Sequence, residues 1–292
     1  MKLLVVHGEG LGNVVEILPL LRTLDNAGIA ADLFIAKTTS KFSRDFLNGR
    51  RTYLEGDAVD PAEYDGKLET VWGNVQGRSA ALSNIKTLND IGKQAMRLDR
   101  SEVDVYLNAA RDIGISEDLF AFDCEGELRV EISEKYDIVF ANGYNWTVKE
   151  NRWDVKSYPR FSELAQYFRD DGMSVCSVGA PHEYIEGTID ETGRTMAQTF
   201  GLLRRAKLVV STDSGVYHCA SALNVPTMVI FTFTSIKKNH DRRFHRSARV
   251  VKVDVPCQSD CHAKMKWRGC ADNKCRNLPV DFVLEVARDI IG

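Results

Sequence analysis

The chain lacks any apolar run approaching the roughly 18 residues that span a bilayer, so a helical membrane anchor is excluded. It also lacks a signal-peptide pattern, because the apolar opening from Leu3 to Val6 runs straight into Gly8, Glu9 and Gly10, and a cytoplasmic location is expected. A dominant charge is missing too. With 38 Lys and Arg against 41 Asp and Glu, no global field draws the protein to nucleic acid or an anionic membrane. Internal repeats and low-complexity tracts are absent, which excludes solenoid and disordered classes. The seven cysteines are an odd number, and Cys124, Cys176 and Cys219 stand alone in apolar surroundings as core thiols do. A disulfide framework is not expected.

What is there belongs to an ordinary globular enzyme. A length of 292 residues suits two domains, and 44% hydrophobic with 27% charged residues suffices to build two cores. The β-branched run Lys2–His7, the glycines 8, 10 and 12 and the apolar stretch from Val14 read as strand, loop and helix, with Pro19 bending that helix or opening a new first turn. A second strand is expected at Asp32–Ala36. Leu82, Ile85, Leu88, Ile91, Ala95 and Leu98 recur at helical spacing, so Ala80–Ala110 reads as mostly helical. Strand and helix alternate again from Asp137–Ala141, through a helix near 160–170, a strand at Ser174–Val178, a helix ending at Arg204 and Arg205, and strands Leu208–Ser211 and Thr227–Phe231. Repeated βα units imply parallel sheets covered by helices. Domains at 1–133 and 134–292 are expected.

The glycine loop fails the dinucleotide fingerprint, which needs glycine where Asn13 stands, and it fails the P-loop pattern. It reads either as a ligand-approaching turn, through Gly10 and Gly12, or as a tight turn with no ligand. The loop from Ser211 to His218 places Thr212, Asp213, Ser214 and Gly215 where a strand gives way to a helix, so free amides and the helix dipole suit a diphosphate. Thr212 or Asp213 would equally serve as an N-cap, and His218 as a core histidine. Cys257, Cys261, Cys270 and Cys275 fall within 19 residues, a grouping that suits zinc or iron, with free thiols or disulfides as the alternatives; His262 reads as exposed. From Lys237 to Arg276, 12 Lys or Arg face 4 Asp, a local excess read as a solvated surface beside a phosphate site, with a polyanionic acceptor such as a phosphorylated lipid saccharide or DNA left open.

Three separated segments resemble glycosyltransferase family 9, the heptosyltransferase group. They are Gly10-Leu11-Gly12-Asn13-Val14-Val15 with Pro19 to Leu24; Arg152-Trp153 with Phe161 to Ala165 and Gly179 to Glu183; and Ser211 to His218 continuing through Ala220, Ala222, Leu223 and Pro226 to Phe231 and Thr234. The resemblance implies two Rossmann-like α/β domains of GT-B type facing across a cleft, an acceptor on the N-terminal side and a nucleotide-diphosphate sugar on the C-terminal side. It implies inverting transfer of a heptose or hexose to a lipopolysaccharide or other saccharide, with no metal in the chemistry. Asp213, Ser214 and Gly215 would hold the diphosphate and sugar, Glu183 would approach the ribose, and Arg152 or Lys149 would neutralise phosphate. Some members carry a similar cysteine cluster, apparently structural. The family usually has aspartate as general base where this chain has Asn13, and an amide takes no proton. Glu9 in the same loop is the expected replacement, with Glu16 and His7 weaker. Otherwise Asn13 only orients the acceptor, the acceptor is a DNA base or protein side chain, or the protein is a catalytically impaired binding module.

Overall fold

The computed structural model describes residues 1–8, 10–36, 44–70, 80–90, 100–144 and 153–292. Two all-parallel sheets carry the fold. The first is built from β1 (Lys2–Gly8), β2 (Ala30–Ala36), β3 (Thr52–Leu54) and β4 (Gly66–Glu69) in the order β3-β2-β1-β4. The second comprises β5 (Ile138–Ala141), β6 (Val175–Ser177), β7 (Ile189–Asp190), β8 (Leu208–Thr212), β9 (Thr227–Phe231) and β10 (Ala248–Lys252). Its order, β10-β9-β8-β5-β6-β7, is the doubly wound arrangement in which strand order reverses between β5 and β8. In the first sheet the reversal lies between β1 and β4.

The helices follow their local signals. Pro19 falls in the first turn of α2 (Leu18–Asn26), where its missing N–H costs nothing, and Ile17 separates it from α1 (Leu11–Glu16). Ser101 caps α4 (Glu102–Asp112), its Oγ accepting the Asp104 N–H at 3.0 Å, and Thr195 with Gln198 forms a capping box on α6 (Met196–Arg205). The amphipathic helices α5 (Phe161–Asp170) and α10 (Val280–Ile291) cover one face of the second sheet through Phe161, Leu164, Phe168, Val283 and Leu284. On its other face lie α6 and α7 (Gly215–Ala222), in one continuous apolar layer with α1, α2 and α4 of the first domain. The short α8 (Ile236–Asn239) and α9 (Gln258–Ala263) follow β9 and β10. No described helix is long and apolar enough to cross a membrane.

The helical expectation for Ala80–Ala110 needs correction. Among its described residues, α3 (Ala80–Ser83) and most of α4 are helical, but 84–90 is not, and Leu88 instead donates its N–H to Lys67 O at 3.0 Å, alongside a parallel bridge from Thr87 to Lys67. Asn89 explains the departure, since its amide pairs with both the N–H and the C=O of Glu69, extending the sheet edge by side-chain mimicry of a strand. Ile91, Ala95 and Leu98 lie outside the described residues.

Candidate active site

Both loops singled out in the sequence leave their sheets at the reversal of strand order, where open parallel sheets bind ligands. On the second sheet, Thr212 Oγ1 donates to Gly143 O at 3.2 Å, tying together the ends of β8 and β5. Ser214, not Thr212 or Asp213, is the N-cap of α7, and no side chain caps that helix; the Ser214 hydroxyl pairs with Ser211 Oγ at 3.1 Å instead. The first-turn amides of α7 are left to a ligand or water. Glu183 sits beside this opening, near Gly143, with its carboxylate accepting the Ala180 N–H at 2.9 Å.

Asp213 turns its buried carboxylate inward. It accepts from Asn239 Nδ2 at 2.7 Å and faces Lys156 Nζ at 3.4 Å and His218 Nε2 at 3.7 Å. Burial opposes its ionisation, but Lys156 and His218 hold the carboxyl well below the usual range. Lys156 thus brings a cation to this loop, whereas Arg152 and Lys149 lie outside the described residues, as does Glu9. The signal for Lys156 was present in Lys156-Ser157-Tyr158-Pro159, immediately before α5.

The glycine loop and the α7 loop meet directly. A Cβ on Gly12 would come 2.8 Å from His218 Cδ2, and one on Gly215 2.8 Å from Leu11 Cβ, so both glycines are required for close approach of the two domains. Gly10 has ordinary space around it. Gly12→Ala is accordingly expected to displace the His218 ring and weaken ligand binding roughly tenfold or more, a misplacement effect, with little loss of secondary structure; calorimetric titration beside circular dichroism checks this.

Asn13 does orient a group, though one inside the protein: its Nδ2 donates to Glu102 Oε2 at 2.9 Å and reaches Tyr106 Oη at 3.3 Å. Lys238 Nζ lies 2.6 Å from the other Glu102 oxygen. Glu16 is not peripheral but fully buried at this junction, its Oε1 3.6 Å from His218 Nδ1. Burial first and the adjoining Glu102 second push the Glu16 carboxyl well up, so it stays protonated. Burial would raise Glu102 as well, yet Lys238 holds it below the ordinary carboxylate value. The pair thus retains one proton and one negative charge. Lys238 and Asn239 belong to the basic segment read as solvated surface; both are turned inward, and that part of the reading is corrected. Neighbouring bridges run from Ser101 Oγ to Asp241 Oδ2 at 2.6 Å and from Arg243 to Asp104 at 3.3 Å.

The four clustered cysteines lie behind the turn that carries Lys156, whose Nζ is 5.6 Å from the Trp153 ring. Cys261 and Cys275 are buried against Trp267, Phe233 and Val155, while Cys257 is exposed. Burial raises both buried thiols, Cys275 to about 11, and each is raised further by its neighbouring cysteines. Among the described residues, the one group of three or more His, Cys, Asp or Glu whose ligand atoms all lie within 4.8 Å of one another is Glu16, His218 and His245, so the cysteine sulfurs are not drawn together to that spacing. His262 is half-buried, not exposed, its Nδ1 accepting the Ser235 N–H at 3.1 Å.

Buried neutral histidines give the fold an acid limit. Burial lowers His7, His240 and His262 each to about 4. Their unfolded forms bind protons first, so stability is full above pH 6.5 and falls as pH drops toward 4. For the fully buried His7 alone the loss is worth about 3 kcal/mol. A melting temperature flat above pH 7 and falling steeply from pH 6.5 to 4 is expected.

Two parallel-sheet α/β domains joined at their switch-point loops form a fold of GT-B type. Residues 134–269 match the sequence profile of glycosyltransferase family 9 (heptosyltransferase), so the second domain is similar to that family. A family 9 glycosyltransferase structure from Veillonella parvula superposes with a TM-score of 0.69 at 18% identity, over 99% of this chain and 97% of that one. The Escherichia coli ADP-heptose lipopolysaccharide heptosyltransferase II gives 0.67 at 17% identity, over 100% and 98%. The iron-containing dodecameric heptosyltransferase TibC, in complex with ADP-D-β-D-heptose, gives 0.66 at 14%, over 99% and 76%. No curated protein sequence matched the chain.

Proposed function

We propose that the protein transfers a heptose or hexose from a nucleotide-diphosphate sugar to an acceptor hydroxyl, with inversion, at the junction of the two switch-point loops. The observation that carries this reading is the uncapped N-terminus of α7, an amide-rich opening at the second sheet's strand reversal, with Lys156 paired to Asp213 beside it. The ADP-heptose seen with a related structure makes that the first donor to test. The base removes the acceptor proton, the alkoxide oxygen bonds to the anomeric carbon, and the sugar–phosphate bond breaks with its electrons leaving on the nucleoside diphosphate. Amides of α7 and Lys156 stabilise that leaving charge without a metal. Glu183, beside Gly143 and Ser214, would approach the ribose in this reading. Ionised Glu102 is the base this reading favours, and Glu9 is the alternative. A saccharide, lipopolysaccharide above all, is the favoured acceptor.

A thermal-shift panel of ADP-, GDP-, UDP- and dTDP-sugars tests the donor site. Binding at a hundredfold excess over Kd adds about 2.7 kcal/mol of stability, and a panel in which no nucleotide sugar raises the melting temperature sinks the reading. Steeply salt-dependent binding to duplex DNA would move the acceptor toward a modified base. The four cysteines would hold a structural zinc or iron through thiolates, with no part in the transfer chemistry. About one metal per chain, lost on Cys261→Ser with Cys275→Ser, is expected from elemental analysis, and metal-free protein of unchanged stability overturns it.

A further inference from the structure

We infer that His245 is a positioning residue that fixes the tautomer of His218, so that a neutral imidazole presents its Nε2–H between the two loops to an oxygen of the donor diphosphate. The diphosphate contact rests on the donor-site reading above; the tautomer does not. The chain of hydrogen bonds begins at the backbone. The Asp241 N–H donates to His245 Nδ1 at 2.9 Å, and a main-chain N–H has no other role to play, so Nδ1 carries the lone pair. The Asp241 carbonyl oxygen, 3.1 Å from the same nitrogen, would need a proton there that the N–H excludes. His245 is buried, and burial keeps it neutral. Its single proton is therefore on Nε2.

That nitrogen lies 2.9 Å from His218 Nδ1, which must accept. His218 is left with its proton on Nε2, the edge facing Gly12 and Asp213. Asp213 Oδ1 is 3.7 Å away, beyond direct hydrogen-bond length, so the donor is aimed at the loop and not consumed by the carboxylate. Stacking of His245 on Tyr217, with ring centroids 4.7 Å apart and 15° between planes, and an edge contact with Phe244 hold its ring in this orientation. The same assignment argues against a resident cation at Glu16, His218 and His245. One facing nitrogen is protonated, the other is accepting that proton, and Glu16 is neutral.

Nitrogen-15 NMR of the histidines in the intact protein reads this directly. At pH 7.5 both His218 and His245 should appear as neutral Nε2–H tautomers. In His245→Leu the His218 signal should become a tautomer mixture and the affinity for ADP, used as the probe, should fall about tenfold, as for a lost hydrogen bond to an anionic oxygen. His245→Gln, whose amide N–H can replace Nε2–H, should restore both. An Nδ1–H tautomer at His218 in the wild type, or an unchanged His218 signal in His245→Leu, overturns the assignment. If the tautomers are as stated but ADP fails to bind the wild type, the donor contact falls and the tautomer lock stands.

Discussion

Asp213→Ala loses about 3–5 kcal/mol of folding stability, because it strands a cation in a largely buried site and removes the partner of a buried amide. Lys156 is only 16% exposed at its side chain and Asp213 3%, so little water replaces the lost partner. Asn239 Nδ2 also loses its 2.7 Å acceptor, and with it the tie between α8 and the α7 loop. Urea unfolding should show a lowered midpoint with unchanged slope. The pair Lys156→Met with Asp213→Leu should recover much of that stability, since apolar substitutes fill such sites without an orphaned charge, yet should not recover ligand binding. Recovery of both would mean the ion pair is structural only.

Glu102→Gln reduces turnover about 100- to 10,000-fold, the usual cost of losing a general base, while leaving donor affinity within a few-fold. Three carboxyls converge at the junction, and two are committed: Asp213 to Lys156 and Asn239, and Glu16 to its proton. Glu102, held by Lys238 Nζ at 2.6 Å and Asn13 Nδ2 at 2.9 Å, is kept by Lys238 below the ordinary carboxylate range, so activity should persist into mild acid until the histidine-linked loss of stability intervenes. Asn13→Asp would set a second carboxylate against Glu102 at the 2.9 Å now spanned by a hydrogen bond, and should lower turnover unless combined with Glu102→Gln. Full activity in Glu102→Gln with loss in Glu9→Gln returns the role to Glu9. Release of nucleoside diphosphate, followed with donor titrations, separates these outcomes.

The parallel βα frame was legible because its signals are local. The apolar run Thr227–Phe231, the proline that opens α2 and the glycines at both loops each declare themselves within a few residues. The stretch at 84–90 was misread because Ile85 and Leu88 keep helical spacing while Asn89 recruits them to a sheet edge sixteen or more positions away in sequence, a tertiary override that periodicity does not encode. The donor loop was likewise visible, being one contiguous segment. Its supports were not: Lys156, Glu102, Lys238, Asn239 and His245 come from four distant stretches, and only folding turns Lys238 from a member of a basic run into a buried partner of Glu102. Asn13 looked like the loss of a group; in the structure its Nδ2 donates to the Glu102 carboxylate.

Hydrogen exchange with and without a saturating nucleotide sugar that stabilises the protein tests the central claim most directly. Protection should appear together in residues 10–16, 153–156 and 211–218, the glycine loop, the lysine turn and the head of α7. Protection confined to other segments, with residues 211–218 unchanged, would contradict the account.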